Sequence, residues 1–247
     1  MPKQTKTSWE ESAEWYDEYL TGADTYQEKV ILPNLLRILE LKKGERVLDL
    51  ACGQGYFAKH LLEKGAGVVG VDASEALVEK ARHALPKAIF HVADAAKLPF
   101  GDDTFDTVVC ILALQNIENL LTTLKEVRRV LTKDGRFIFV VNHPAFRIPK
   151  HSSWVWDDKN KTQYRRVEQY LTPAKAKIEM HPGADSSYTW TFHRSLQDFA
   201  KALRTAGFAI TRMEEWISHK KSQKGPRTEG EDRARKEIPL FLAVEAR

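Results

Sequence analysis

The spacing of apolar residues changes twice along the chain. Up to residue 44 they recur every three or four positions, as on one face of a helix. This predicts helices over residues 8–20, opened by the capping signature Ser8 and Glu11, and over 26–41, closed by Lys42, Lys43 and Gly44. From Arg46 the pattern becomes short apolar runs alternating with helical segments. Runs fall at 46–52, 67–72, 88–93, 105–114 and 135–141, and helices at 56–64, 74–85 and 120–131. Strands that are apolar along their whole length and separated by helices belong in a parallel sheet covered on both faces, so the fold class is α/β, doubly wound.

Beyond Val141 the regularity lapses. Residues 142–190 are polar, aromatic and Pro-containing, with a short helix predicted at 161–170. A helix over 196–206, a strand over 208–217, a charged hairpin-like segment over 218–236 and a last apolar strand over 238–244 follow. An irregular segment as long as 142–190 is either functional or disordered. Its Trp154, Trp156, Tyr164, Tyr170, Tyr188 and Trp190 favour a functional one.

Composition narrows the class. With 43% hydrophobic and 10% aromatic residues the chain can build a core, which excludes global disorder. The net charge of +4 is uneven, −3 over residues 1–144 and +7 over 145–247. That balance permits an anionic ligand but falls short of a dedicated nucleic-acid binder. No apolar run approaches the roughly 20 residues of a membrane span, and the polar N-terminal stretch offers no signal peptide, so a cytoplasmic protein is expected. Cys52 and Cys110 both sit in apolar stretches, so neither a disulfide scaffold nor a metal site is expected.

Candidate chemistry begins where the first run meets a helix, at Asp49-Leu-Ala-Cys-Gly53-Gln-Gly55. Glycines there let a ligand approach the backbone, although such a string alone also fits a dinucleotide site or a tight turn. Three acids sharpen it. Asp49 could take a cationic amino group, Asp72 ends the next strand where an acid accepts ribose hydroxyls, and Asp94, followed by Ala95, closes the third, where an adenine amino group can be held. Each acid could alone be an ordinary cap or turn residue; their recurrence at successive strand ends points to a nucleoside ligand.

At these residues the chain resembles the class I S-adenosylmethionine-dependent methyltransferases, particularly the small-molecule group that includes the ubiquinone-biosynthesis methylases. Residues 47–55, Val69-Gly-Val-Asp72-Ala-Ser and Ala93-Asp94-Ala95 with the following 98–109 are similar to the first three family motifs. The resemblance extends through Leu114-Gln115-Asn116-Ile117, the helix and turn of 124–136, and the helix of 193–208. It implies a Rossmann-like seven-stranded sheet, mostly parallel with the last strand antiparallel, helices on both faces and a lid insertion after strand five. It implies one domain: cap helices 1–41, cofactor-binding core 46–141, substrate lid 142–190 and the rest of the sheet in 191–247. The implied cofactor is S-adenosylmethionine. Asp49, Ala51, Gly53 and Gly55 would hold its methionine end, Asp72 and Ala73 the ribose, and Asp94 and Ala95 the adenine. Gln115 would lie near the methionyl or adenosyl group. The N-terminal helix would close over the cofactor, with Tyr16 and Tyr26 as candidates.

Methyl transfer asks mainly for alignment, which is worth at most roughly 7–11 kcal/mol, and a base is optional. His143, just past strand five, is the candidate base, its alternative role being that of a hydrogen-bonded loop histidine. Arg147, Tyr164, Arg165 and Arg166 are candidates for an anionic acceptor, because a guanidinium forks onto carboxylate or phosphate; the alternative is that they face solvent. Trp154, Trp156, Tyr164 and Trp190 could wall the pocket or meet the sulfonium face-on. The basic stretch 219–227 reads as a solvated loop. The expected reaction is transfer of a methyl group to O, N or C of a small anionic or aromatic metabolite, by a monomer or homodimer without nucleic-acid or membrane partners. Two alternatives stand beside it: a tRNA methyltransferase docking through the basic half, and an NAD-dependent oxidoreductase or silent cofactor-binding partner. Asp49 opposes NAD, since a pyrophosphate would be repelled there.

Overall fold

The structure is a computed structural model that describes residues 7–20, 22, 24–180 and 187–247. Seven strands form one sheet: β1 (Arg46–Leu50), β2 (Gly67–Asp72), β3 (Ile89–Val92), β4 (Phe105–Ile111), β5 (Leu131–Asn142), β10 (Ile210–Trp216) and β11 (Phe241–Ala246). Their order is β3-β2-β1-β4-β5-β11-β10. The first five run parallel, with Asp49 level with Gly70 on one side and Val109 on the other. β11 inserts antiparallel to both neighbours, pairing Phe241 with Asn142.

Side chains alternate across this sheet with the period of two that a pleat imposes. Along β5, Phe137, Phe139 and Val141 pack on one face with α5 (Leu120–Val130) and α6 (Leu196–Thr205). Ile138 and Val140 pack on the other face with α2 (Leu32–Leu39), α3 (Tyr56–Glu63) and α4 (Glu75–Ala84). The helices are fastened locally. Ser195 and Asp198 form a reciprocal capping box on α6, and Ser74 caps α4 by accepting from the Leu77 amide at 3.2 Å.

Four expectations need correction. The first helix, α1, spans Ala13–Leu20 and begins five residues late; Ser8 and Glu11 lie in turns, and it is Glu10 that caps, on another helix. The second is Gln27–Ile31 in π form followed by α2. The helix expected at 161–170 is a strand, β7 (Thr162–Val167), paired antiparallel with β6 (Ser152–Asp157). β-Branched and aromatic residues at Thr162, Tyr164 and Val167 suit a pleated ribbon better than a helix. A second ribbon pairs β8 (Ala174–Glu179) with β9 (Tyr188–His193); residues 181–186 of the expected lid lie outside the described residues. Finally, the hairpin expected at 218–236 contains α7 (Thr228–Glu237). Glu229 and Glu231 stand at its positive end and Arg235 and Lys236 at its negative end, with Glu229 paired to Arg233 one turn on.

One glycine shows how tightly the strands pack. A Cβ on Gly70, in the middle of β2, would collide with the Phe90 ring and stand 2.9 Å from Cys52 Sγ. Gly70→Ala should therefore destabilise the fold by about 1–3 kcal/mol, read as a lowered melting temperature; an unchanged temperature would mean that Phe90 can swing aside at no cost.

Candidate functional site

The strand order reverses between β1 and β4, and in such sheets the crevice beyond the carboxyl ends at that point is where ligands sit. A cavity of about 330 Å3 lies there. Its walls come from the ends of four strands: Ala51 and Gly53 after β1, Asp72 and Ala73 at β2, Asp94 and Ala95 after β3, and Leu112, Asn116 and Ile117 after β4. Trp9 and Tyr16 reach it from the N-terminal segment, their rings meeting edge to face at 5.4 Å.

The wall is built on unusual backbone. Ala51 and Leu112, at the ends of adjacent strands, hold left-handed φ values of 57° and 55°, a conformation that L side chains avoid. Gly53, at φ 55°, adopts a left-handed turn that glycine takes without strain; a Cβ there would meet Tyr16 Cε1 at an ordinary 3.7 Å, so the conformation and not the space calls for glycine. The Gly53 amide is engaged, donating to Asp72 Oδ2 at 2.9 Å, while Ser74 N donates to Asp72 Oδ1 at 2.9 Å. Asp72 thus ties the glycine loop to the start of α4. Burial pushes its carboxyl up, against the pull of the backbone amides that it accepts from.

The roof is held by polar contacts. Glu10 accepts from Ser74 Oγ at 2.7 Å and from the Ala76 amide at 3.1 Å. Asp17 accepts from Gln54 Nε2 at 2.9 Å and pairs with Lys80 at 3.0 Å. Neither Glu10 nor Trp9 carries a motif that would single it out in the sequence, because each matters through residues some 60 positions away, as Glu10 does through Ser74.

The sequence-derived candidates divide three ways. Tyr16, Ala51, Gly53, Asp72, Ala73, Asp94 and Ala95 line the cavity together. Asp49 lies behind it in the core, 1% exposed, with Oδ2 left without a partner. Burial, reinforced by the nearby Asp72, lifts its pKa to about 7, although the Ala58 amide pulls the other way. Gly55, at φ 83°, borders the neighbouring groove under α1, where a Cβ would press on Leu85, Phe90 and Ala81. The remaining candidates are not at this cavity. Gln115 sits in a 3-10 turn (Leu114–Asn116), whose three residues per turn send successive side chains apart: Asn116 faces the cavity, and Gln115 folds back to donate to the Leu112 carbonyl at 2.7 Å. Tyr26 packs edge to face on Phe241 and bonds Ser218.

His143 is 1% exposed and borders no described cavity. Its Nδ1 accepts from the Ala145 amide at 3.2 Å, which leaves the proton on Nε2 to be donated to Glu215 at 2.6 Å. Burial lowers its pKa, and the ring serves the turn after β5 rather than a substrate. On β7 the side chains alternate, so Tyr164 is 49% exposed, Arg166 pairs with Glu168, and Arg165 turns inward to donate to Phe146 O at 2.7 Å and Ser152 Oγ at 2.8 Å. Arg147 borders a second, smaller cavity. Of the aromatics, Trp154 lies under Arg147 and Arg165, Trp156 under Arg227, and Trp190 is half exposed beneath Lys175. In the tail, His219 and Lys220 pair with Asp24.

The cavity coincides with what known proteins share with this chain. Residues 48–139 match the methyltransferase domain family. The demethylmenaquinone methyltransferase of Corynebacterium urealyticum is 30% identical over 177 residues, 72% of each chain. That of Beutenbergia cavernae is 30% identical over 149 residues, 60% of this chain but only 58% of that enzyme. The crystal structure of an S-adenosylmethionine-dependent methyltransferase from Mesorhizobium loti superposes with a TM-score of 0.73 at 29% identity, over 90% of this chain and 100% of that one. Among the described residues no helix is long and apolar enough to cross a membrane. The strand order, the strained loop at the switch point and these relatives agree: the chain belongs to the class I S-adenosylmethionine-dependent methyltransferases.

Proposed function

We propose that this enzyme methylates a small-molecule acceptor, with the cofactor seated in the cavity at the β1/β4 switch point. The observation that carries the reading is the placing of Asp72 and Asp94 on one wall of that cavity, at the ends of consecutive strands and under a roof that closes on it. Relatives named for demethylmenaquinone, a small molecule, support an acceptor of that size. With the family assigned, the dinucleotide alternative falls away.

The residues present fit S-adenosylmethionine. Each Asp72 oxygen accepts one backbone amide and keeps a lone pair, as two ribose hydroxyls require. Asp94 accepts from the Ala96 amide through Oδ1, leaving Oδ2 for the adenine amino group, with Ala95 beside it. Asp49 Oδ2, buried and without a partner, suits the cationic amino group of the methionine end. Since the Gly53 amide is engaged by Asp72, Gly53 contributes the left-handed turn of the loop rather than a donor. When bound, the cofactor supplies a methyl group already made electrophilic by its sulfonium. The chain then has to hold the acceptor in line and keep water out, the task of Trp9, Tyr16 and the wall after β4.

Two outcomes test this. Asp72→Ala should weaken S-adenosylmethionine binding about 10- to 100-fold in calorimetric titration, the loss of one or two charge-assisted hydrogen bonds, while circular dichroism stays native. Unchanged affinity would remove Asp72 from the ribose role. The second concerns pH. A cationic ligand group favours ionised Asp49, whose pKa in the free protein is about 7, so affinity should rise from about pH 6 to pH 7 and fall again where the ligand's own amino group loses its proton. In the same window the free protein should lose stability as pH rises, because folding holds on to a proton that the unfolded chain releases near the ordinary carboxylate value. Asp49→Asn should flatten both profiles, and a flat wild-type profile would mean that Asp49 stays neutral in the complex.

A further inference from the structure

A second cavity, of about 40 Å3, lies beyond the carboxyl end of β5. The 3-10 turn divides it from the cofactor cavity, with Asn116 on one side and Gln115 on the other. Its polar lining is Gln115, Asn142, Arg147, Thr191, His193 and Arg194. Three of the six are already satisfied, and Asn142 is exposed to solvent. Arg194 spends its guanidinium on the carbonyls of Leu114, Ile117 and Glu118 at 2.7–3.2 Å, Thr191 accepts from Asn116, and His193 bonds Tyr170 O at 2.7 Å.

Two groups are not. The half-buried side chain of Arg147 forms no hydrogen bond or ion pair among the described residues, and its Nε is buried without a partner. Its guanidinium lies 5.8 Å from the centre of the Trp154 ring, and that of Arg165 lies 5.3 Å from the same ring. Among the described residues no acid pairs with either cation; burial lowers both, and the repulsion from Arg147 helps bring Arg165 down to about 10. Gln115 Oε1, fixed by the bond from its amide nitrogen to Leu112 O, is also buried without a partner. A half-buried cation with no counter-charge and a buried acceptor with no donor are both unfavourable, so a ligand that answers both relieves both.

Resting on the small-molecule reading above, we propose that this cavity anchors the methyl acceptor: Arg147 takes the carboxylate of a small acid, and Gln115 Oε1 accepts from a hydroxyl or amine beside that carboxylate. The volume admits one such end group and no ring, which leaves the remainder of the acceptor to extend past the 3-10 turn toward the cofactor cavity. Guanidinium suits a planar carboxylate better than a point charge does. Inorganic phosphate shares the negative charge and keeps one hydroxyl in its dianionic form, but it is tetrahedral and more highly charged, so it tests whether the subsite selects a planar carboxylate or any anion.

The test is titration of the protein, loaded with S-adenosylhomocysteine, with 13C-carboxylate-labelled glycolate, acetate and, in a third arm, inorganic phosphate and acetamide, followed by NMR. Glycolate should bind more tightly than acetate, acetamide should not bind, and Arg147→Gln should weaken glycolate at least tenfold with Arg147→Lys between. Because the charge removed is unpaired, Arg147→Gln should keep or raise the melting temperature and leave S-adenosylhomocysteine affinity unchanged. Equal binding of glycolate by wild type and Arg147→Gln, no carboxylate binding by the loaded wild type, or phosphate binding in preference to glycolate would each overturn the subsite while leaving the small-molecule reading intact. A lowered melting temperature without an effect on glycolate would overturn it too, making Arg147 a packing partner of Trp154. Methyl transfer to tRNA and to no small acid would sink both.

Discussion

Asp72 accepts the amides of Gly53 and Ser74 through its two oxygens, and much of the site is arranged around that pair of bonds. They join the glycine loop after β1 to the first turn of α4, so the two strand ends that bracket the cofactor cavity are held as one piece. The same carboxylate is the one we propose for the ribose. It can serve both ends because a carboxylate oxygen has two lone pairs and the backbone takes one of each. The consequence reaches Asp49, one strand over, whose own ionisation is opposed by burial and by the neighbouring charge. Two acids close together in the core are costly, and their arrangement makes sense beside a cationic ligand.

The backbone around them is strained in a pattern that follows the cavity. Ala51 and Leu112 end adjacent strands in left-handed conformations, and both line the wall. Strain of this kind persists only where the surroundings over-determine it. Here the parallel sheet does so, since β1 is paired on both sides and has no freedom to relax. The roof is different in kind. Glu10, Asp17 and their partners on α4 and the Gln54 loop are polar and partly exposed, and contacts of that type are individually weak.

The insertion after β5 lines the second cavity, the one we propose for the acceptor. Two short ribbons replace the expected lid helix, and Trp154 on one of them backs two arginines. Pairing in a ribbon separates Arg165 from Tyr164 and Arg166, sending the first inward to backbone carbonyls and the others outward. The guanidinium left uncommitted is that of Arg147, which comes from the turn that His143 braces against Glu215.

Much of this was legible in the sequence. Uninterrupted apolar runs separated by helical periods require a parallel sheet, because only a strand buried on both faces can be apolar throughout, and the acids at the ends of those runs mark where a nucleoside ligand meets them. That is local information, carried by residues within one strand and one turn, and Ala51, Gly53, Asp72, Asp94 and Ala95 all line the cavity as their spacing implied. What depended on partners far along the chain was not legible. The strand at 162–167 needed β6 to pair with, and α7 needed the surface that Trp156 and Lys161 form under Gly230. Which arginine stays unpaired was likewise decided only by the fold, because a guanidinium is committed or free according to which carbonyls and carboxylates the folded chain brings within reach.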